Sequence, residues 1–119
     1  MGTNYYAVKN GPSLREPVHI GLSSSGWLFV FQDQNDPWWG DPPLEWHTYN
    51  QVKEWLRKYT VESTDFCIID EYDRVVTFDE FFELVDRKQN DEHCRSNPDN
   101  FRYNVKNVDG YRFDDQNFC

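Results

Sequence analysis

The chain has 119 residues, 18% of them aromatic, and a formal net charge of −9 at neutral pH. This length fits a single domain with one core. Disordered chains are poor in aromatic residues, so the high aromatic content argues against disorder. The acidic balance argues against direct nucleic-acid binding, which needs Lys and Arg to displace counterions from phosphate. The composition therefore predicts one folded domain over residues 1–119 whose partner carries a neutral or basic surface.

Cysteine spacing and hydropathy argue against a disulfide-rich, a metal-binding and a membrane-spanning protein. The three cysteines, Cys67, Cys94 and Cys119, are too far apart in sequence for a disulfide framework or a CxxC metal site. Polar residues follow Met1 directly, and no stretch is long and apolar enough to cross a bilayer. We therefore expect a cytoplasmic protein with no membrane span, no metal and no cofactor, while the oligomeric state stays open.

The first third of the chain has the pattern of strands. Residues 3–9 form an aromatic and β-branched run that stops at an Asn-Gly-Pro turn. Residues 18–22 and 27–31 are apolar segments separated by serine and glycine, which predicts a β-hairpin. Residues 32–47 contain three prolines, which lack the backbone donor that a strand needs, and they predict a long irregular loop.

Two amphipathic helices are predicted next. Thr48 and Gln51 have the spacing of a capping box, and Thr77 and Glu80 repeat it after two short strands at 66–69 and 75–76. The first helix places its apolar residues on one stripe: Val52, Trp55, Leu56 and Tyr59. The second has an apolar face of Phe78, Phe81, Phe82 and Val85, and an acidic face of Asp79, Glu83 and Asp86.

The end of the chain predicts one more hairpin. Residues 89–100 are polar and predicted to be irregular, and apolar alternation then resumes on both sides of an Asp-Gly pair at 109–110. Together the elements predict an α+β fold, with a small, mostly antiparallel sheet and two amphipathic helices packed on one of its faces.

Acidic residues are concentrated in the middle of the chain. Between Asp65 and Glu92 there are ten Asp or Glu against three Lys or Arg. Such a stretch is either a solvated face that keeps the protein soluble or a surface that docks on a cationic site. The acidic turn at 70–73 lacks the ligand spacing of a calcium loop and predicts a hairpin turn instead.

The segment 36–47 is the most unusual in composition, because it places three tryptophans among three carboxylates and three prolines. Its rings either cap the core or form a partner-binding loop, since Trp gives a large contact area at low entropic cost. A glycosidase-like pair of carboxylates would need a fixed separation that the sequence does not supply. The predicted partner-binding residues are Trp38, Trp39, Asp36, Asp41, Glu45, Trp46, Asp79, Glu83 and Asp86.

Two further motifs carry a family resemblance. The opening Met-Gly-Thr-Asn-Tyr-Tyr and the segment His19-Ile20-Gly21, with Ser23-Ser24 and Gly26-Trp27, are similar to a family of small uncharacterised proteins encoded by bacteriophages and prophages. The similarity extends more loosely to Asp70-Glu71-Tyr72, Arg74 and the Phe-rich helix. Members often carry two close cysteines before the His-Ile-Gly segment, and residues 10–17 of this chain have none. The resemblance implies a phage accessory protein acting in a bacterial cytoplasm.

Two functional hypotheses follow. The first is a non-enzymatic protein that binds and modulates or inhibits a bacterial host protein, in a defence or nucleic-acid-handling role, through its acidic, Trp-rich surface. The second is a small-ligand or nucleotide-binding protein in which Trp38, Trp39 and Trp46 stack on a base.

Overall fold

The computed structural model describes residues 2–11, 17–24, 26–36, 44–96, 105–108 and 110–114. The strands are β1 (Gly2–Lys9), β2 (Val18–Ser24), β3 (Val30–Gln32), β4 (Gln34–Asp36), β5 (Leu44–Trp46), β6 (Phe66–Asp70), β7 (Val75–Val76), β8 (Val105–Val108) and β9 (Tyr111–Asp114). The helices are α1 (Tyr49–Leu56), which continues into a π-helical turn (Arg57–Val61), α2 (Phe78–Asn90) and α3 (Glu92–Arg95).

Within these residues, seven strands form one sheet in the order β7-β6-β1-β2-β3-β9-β8, and β4 pairs with β5 in a separate ribbon. Strand β1 lies antiparallel to both β2 and β6, and β8 pairs antiparallel with β9. The predicted mixed α+β class and the mostly antiparallel sheet are confirmed. One pairing, β3 with β9, is parallel. Two parallel neighbouring strands need a long connection, and the chain between β3 and β9 includes α1, α2 and α3.

Both predicted helix starts are present. Thr77 Oγ1 accepts from the Glu80 amide at 3.1 Å, and Glu80 Oε1 accepts from the Thr77 amide at 3.1 Å, which completes the capping box of α2. Thr48 Oγ1 accepts from the Gln51 amide at 3.2 Å, but the Gln51 side chain accepts from the amide of His47. The reciprocal bond of α1 therefore lies one residue before the cap.

Two predictions of irregular structure are wrong. The predicted loop at 32–47 contains the end of β3 and the β4–β5 ribbon, because its prolines fall between the paired segments. The predicted irregular stretch at 89–100 begins inside α2 and continues into α3, where the Asp91 side chain accepts from the amides of His93 and Cys94, while residues 97–100 lie outside the described residues. The polar composition does not predict this short helix, because Cys94 is the only residue that α3 buries.

The core is aromatic, as predicted. Its largest side chains are fully buried: Trp46, Phe29, Phe31, Phe66, Phe81 and Phe113. From α2, the Phe81 ring packs on Tyr5 and Phe29 at 5.4 Å, and from α1 the Trp55 ring packs on Phe66 at 5.2 Å. Edge-on and tilted ring pairs of this kind add to the stabilisation from burying apolar area. Among the helices that the structure describes, none is long and apolar enough to cross a membrane.

The predicted turn between β6 and β7 is organised by one buried carboxylate. Asp70 is 1% exposed and accepts from the Tyr72 amide at 2.9 Å, from the Arg74 amide at 3.0 Å and from Arg74 Nε at 3.3 Å. Asp73 completes the turn in a left-handed conformation with φ of 64°. Burial opposes ionisation of Asp70, but the bonds from Arg74 and Tyr72 outweigh it and hold its pKa below the ordinary value.

Because the folded pKa of Asp70 is depressed, its ionised form stabilises the fold above the unfolded pKa, near 4, and this contribution is lost as pH falls through the folded pKa. We expect Asp70→Asn to lower the free energy of unfolding by about 1 kcal/mol at pH 7. The difference between variant and wild type should shrink below pH 4. Urea unfolding at pH 7, 5 and 3 measures this, and a pH-independent difference would contradict the ionic role of Asp70.

Candidate functional site

Helices α1 and α2 lie side by side and antiparallel. Three contacts between facing positions join α2 to α1 and to the π-helical turn that continues it: Tyr49 with Asp86, Lys53 with Phe82, and Arg57 with Phe78. The first is a hydrogen bond of 2.9 Å from the tyrosine hydroxyl to the carboxylate. In the other two, the cation lies 5.4 and 5.5 Å from the ring centroid. The Tyr49 ring also lies edge-on to the Phe82 ring at 5.8 Å. Each of the three facing contacts moves four residues forward along α1 and its continuation and four back along α2, as expected when single helix faces meet.

An open cavity of about 610 Å³ runs along this seam. We call it the α1–α2 groove. One wall comes from α1 and the π-helical turn that continues it and carries Lys53 and Arg57, and the other comes from α2 and carries Asp79, Glu83 and Asp86. Phe78 and Phe82 also line it, with Arg87 and Asn90 further along α2. The groove thus combines a basic wall and a mainly acidic wall, with the half-buried Phe78 ring between them, while Phe82 is only 3% exposed.

The charges of the two walls do not pair with each other. The ion pairs among the described residues join His47 to Asp33 and Glu45, and Arg74 to Asp70, and none of them crosses the groove. Lys53 and Arg57 instead lie over aromatic rings, an arrangement that attracts cations through the ring quadrupole. Both walls therefore keep charge that an incoming group can meet.

Asp86 is the one acidic wall residue already engaged by α1, through Tyr49. The Tyr49 ring stacks on Tyr111 of β9 with centroids 4.0 Å apart. Burial and the neighbouring Asp86 carboxylate raise the pKa of Tyr49, so its hydroxyl stays protonated and donates to Asp86 across the physiological range. This bond occupies the Asp86 carboxylate, which leaves Asp79 and Glu83 as the exposed carboxylates of the α2 wall.

The structure corrects one predicted contact residue. Trp46 is fully buried, its indole Nε1 donates to the Gln32 carbonyl at 2.6 Å, and its ring packs edge-on against Trp55 at 5.3 Å. A side chain with no exposed surface cannot stack on a ligand or reach a partner. Trp46 is thus a core residue, and the interpretation of these rings as caps on the core holds for it.

The other residues of the predicted loop surface are only partly placed. Glu45 is exposed on β5 and lines a different opening of about 880 Å³, together with Glu54, Trp55 and Glu62. The backbone of Asp36 pairs with Leu44, while the Asp36 side chain, Trp38, Trp39 and Asp41 lie outside the described residues. Within the described part of the chain, Asp79, Glu83 and Asp86 share one groove and Glu45 does not line it.

His47 lies between the carboxylates of Asp33 and Glu45. His47 Nδ1 lies 2.6 Å from Asp33 Oδ1, and its Nε2 lies 3.5 Å from Glu45 Oε2. Burial opposes protonation of His47, but Asp33 and then Glu45 outweigh it and raise its pKa. The His47–Asp33 contact links the segment before α1 to the residue between β3 and β4. Among the described residues, no group of three or more His, Cys, Asp or Glu has an arrangement that could hold a metal ion.

Sequence reasoning missed the basic wall. Tyr49, Lys53 and Arg57 repeat every four residues, which places them on one row of α1 and the turn that continues it, beside the apolar stripe. That spacing is visible in the sequence, but only the packing against α2 makes the row one wall of a groove. Comparison with known proteins finds no matching family model, no matching curated protein and no matching solved structure.

Proposed function

We propose that this chain is a non-enzymatic binding protein that engages a basic surface of a bacterial host protein through the acidic wall of the α1–α2 groove. The observation that carries the proposal is that Asp79 and Glu83 lie exposed on one wall of an open groove, without an ion pair among the described residues. The resemblance to phage-encoded proteins supports a role in modulating or inhibiting that host protein in the bacterial cytoplasm.

We infer further that α1 and α2 cover the same face of the sheet. Phe81 of α2 packs on Tyr5, and Trp55 of α1 packs on Phe66. Tyr5 is paired with Asp70, and Phe66 lies four residues before Asp70 on β6, so Tyr5 and Phe66 point to the same side. This arrangement turns the α1–α2 groove away from the sheet and towards a partner.

Binding is the role that the groups in the groove suit best. Carboxylates that face a cationic partner speed association and select against partners of the wrong charge. Cations held over rings, as Lys53 and Arg57 are, leave their outer sides available for acceptors. The nucleotide-binding alternative is weaker, because the burial of Trp46 removes one of its three stacking rings. Trp38, Trp39, Asp36 and Asp41 stay predicted members of the partner-binding surface.

The test compares two double variants that remove equal charge. Asp79→Asn with Glu83→Gln neutralises the acidic wall, and Glu54→Gln with Glu62→Gln neutralises two exposed acids of the other opening. Tagged proteins are incubated with a bacterial lysate at low and high salt, and the retained proteins are identified by mass spectrometry. We expect a specific host protein with the wild type and with the Glu54/Glu62 variant, lost from the Asp79/Glu83 variant and weakened by salt.

Two results would contradict the proposal. One is that no host protein is retained specifically at either salt concentration. The other is that both double variants retain the same protein equally well, which would place the contact outside the groove. Circular dichroism of each variant controls for unfolding.

A further inference from the structure

We propose that His19 and Asn4 form a proton-controlled switch, in which the Asn4 side-chain amide flips when the His19 ring gains or loses a proton and so makes or breaks a contact with Glu71. The three residues lie on different elements: Asn4 on β1, His19 on β2, and Glu71 in the turn after β6. The switch is separate from the α1–α2 groove, because the described residues that line the groove include none of the three.

Both ring nitrogens of the half-buried His19 face side-chain oxygens. Nδ1 lies 3.2 Å from Gln32 Oε1, and Nε2 lies 2.8 Å from Asn4 Oδ1. Both distances are those of hydrogen bonds, and an amide oxygen can only accept. A neutral imidazole carries a proton on one nitrogen alone, so only the protonated ring donates in both directions at once. The arrangement in the structure is therefore that of the imidazolium.

The Gln32 amide cannot flip to suit a neutral ring. Its side chain is 7% exposed, and its Nε2 lies 3.1 Å from the Asp114 carbonyl oxygen and 3.4 Å from the Asp33 carbonyl oxygen. A flip would place Oε1 against these two oxygens, which cannot donate, at a site with little access to water. Oε1 therefore keeps facing His19, and a neutral His19 ring must keep its one proton on Nδ1.

Asn4 is the residue that can respond to the loss of a proton. Its Nδ2 lies 3.4 Å from Glu71 Oε1, which also accepts from the Asn4 backbone amide at 2.7 Å. When His19 Nε2 has no proton, its lone pair faces the lone pairs of Asn4 Oδ1 at 2.8 Å, and the two atoms repel each other. A flip lets Nδ2 donate to Nε2, but it turns Oδ1 toward the Glu71 carboxylate. Loss of the proton thus exchanges an attraction at Glu71 for a repulsion.

The surroundings of His19 set the pH at which the switch works. Burial lowers the pKa of His19, while the bonds to Gln32 and to the Gly21 backbone act in the opposite direction. The neutral ring is therefore favoured at pH 7, and protonation takes place below the ordinary value of 6.5. Among the described residues, the ring partner Tyr6 is titratable, and the bonded partners Asn4 and Gln32 lead to Glu71, Asp33 and Asp114.

The experiment is an NMR titration of the full-length protein from pH 8 to pH 4. Long-range proton–nitrogen spectra report which ring nitrogen of His19 carries a proton, and the side-chain amide signals of Asn4 and Gln32 report whether each amide changes its partner. We expect a proton on Nδ1 alone at pH 8 and on both nitrogens at low pH. The Asn4 amide signals should shift with the midpoint of His19, and the Gln32 amide signals should move much less.

Two variants separate the amide flip from a direct effect of the Glu71 charge. Glu71→Gln keeps the length of the side chain and can either accept from or donate to Asn4, so it tolerates both amide orientations. We expect it to lower the midpoint of the His19 titration by about half a pH unit, less than a full charged hydrogen bond because Glu71 is exposed. Combined with Asn4→Leu, which has no amide to flip, the same change should have a smaller effect.

Four results would overturn the switch. Three come from the wild-type titration, which needs no variant to fold: a His19 ring that stays neutral down to pH 4, a neutral ring with its proton on Nε2, and Asn4 amide signals that do not follow the His19 midpoint. The fourth is an equal effect of Glu71→Gln with and without the Asn4 amide, because the Glu71 charge would then act on the ring directly.

Discussion

A Gly21→Ala substitution is expected to lower the free energy of unfolding by about 3 kcal/mol, the cost of forcing a side chain into a packed site. Gly21 lies on β2, between β1 and β3, and its register partners are Tyr5 and Phe31. A Cβ at this position would overlap the Val30 carbonyl oxygen and the Phe29 ring. Neither group can move away cheaply, since Val30 belongs to β3 and the buried Phe29 ring packs against Phe31 and Phe81.

Gly2→Ala is the matched control, because it adds the same methyl group to an adjacent strand of the same sheet. There the nearest atoms are the ends of the Leu22 and Ser24 side chains, which can rotate. We expect a loss below about 1 kcal/mol for this variant. Urea unfolding followed by circular dichroism gives both values. If the two variants were equally stable, the close approach of Phe29 and Val30 to Gly21 would not be a constraint on the fold.

The helices were predictable because their signals are local. The capping box of Thr77 and Glu80 depends on residues three apart, and the buried face of Phe81, Phe82 and Val85 depends on residues within one turn. Such patterns survive in any tertiary setting that buries one side of the helix. The acidic row of α2 was predicted for the same reason.

The irregular segments were mispredicted because their structure depends on distant residues. The ribbon of β4 and β5 joins segments separated by three prolines, and composition alone indicates a loop there. The parallel pairing of β3 with β9 joins residues 30–32 to residues 112–114, far beyond any local pattern. The role of Trp46 depends likewise on the carbonyl of Gln32 and on Trp55.

One of the two walls of the candidate site could be predicted from the sequence. The row of Asp79 and Glu83 follows from helical periodicity, but the facing row of Lys53 and Arg57 becomes a wall only when α1 packs antiparallel to α2. Composition and charge predicted an acidic, Trp-rich surface. The groove also places Lys53 and Arg57 opposite Asp79 and Glu83, a juxtaposition that neither net charge nor helical periodicity predicts.

Trp46→Ala is expected to cost about 3 to 5 kcal/mol, the usual penalty for removing a buried tryptophan ring. The loss has two sources: a cavity beside Trp55, and a buried Gln32 carbonyl left without its donor. Because small domains have total stabilities of about 5–15 kcal/mol, the variant should unfold at a far lower urea concentration than wild type. Unfolding followed by circular dichroism measures this directly.

Trp46→Phe separates the core role of this residue from a binding role. It keeps a ring against Trp55 and removes the indole N–H, so we expect a smaller loss of about 1 to 3 kcal/mol, from the unsatisfied carbonyl and the reduced volume. If Trp46 acts only in the core, the folded Trp46→Phe protein retains the same host protein as wild type in the capture experiment. Loss of capture from a variant that circular dichroism shows to be folded would instead return Trp46 to the binding surface, and the buried position of its ring would have to open to a partner.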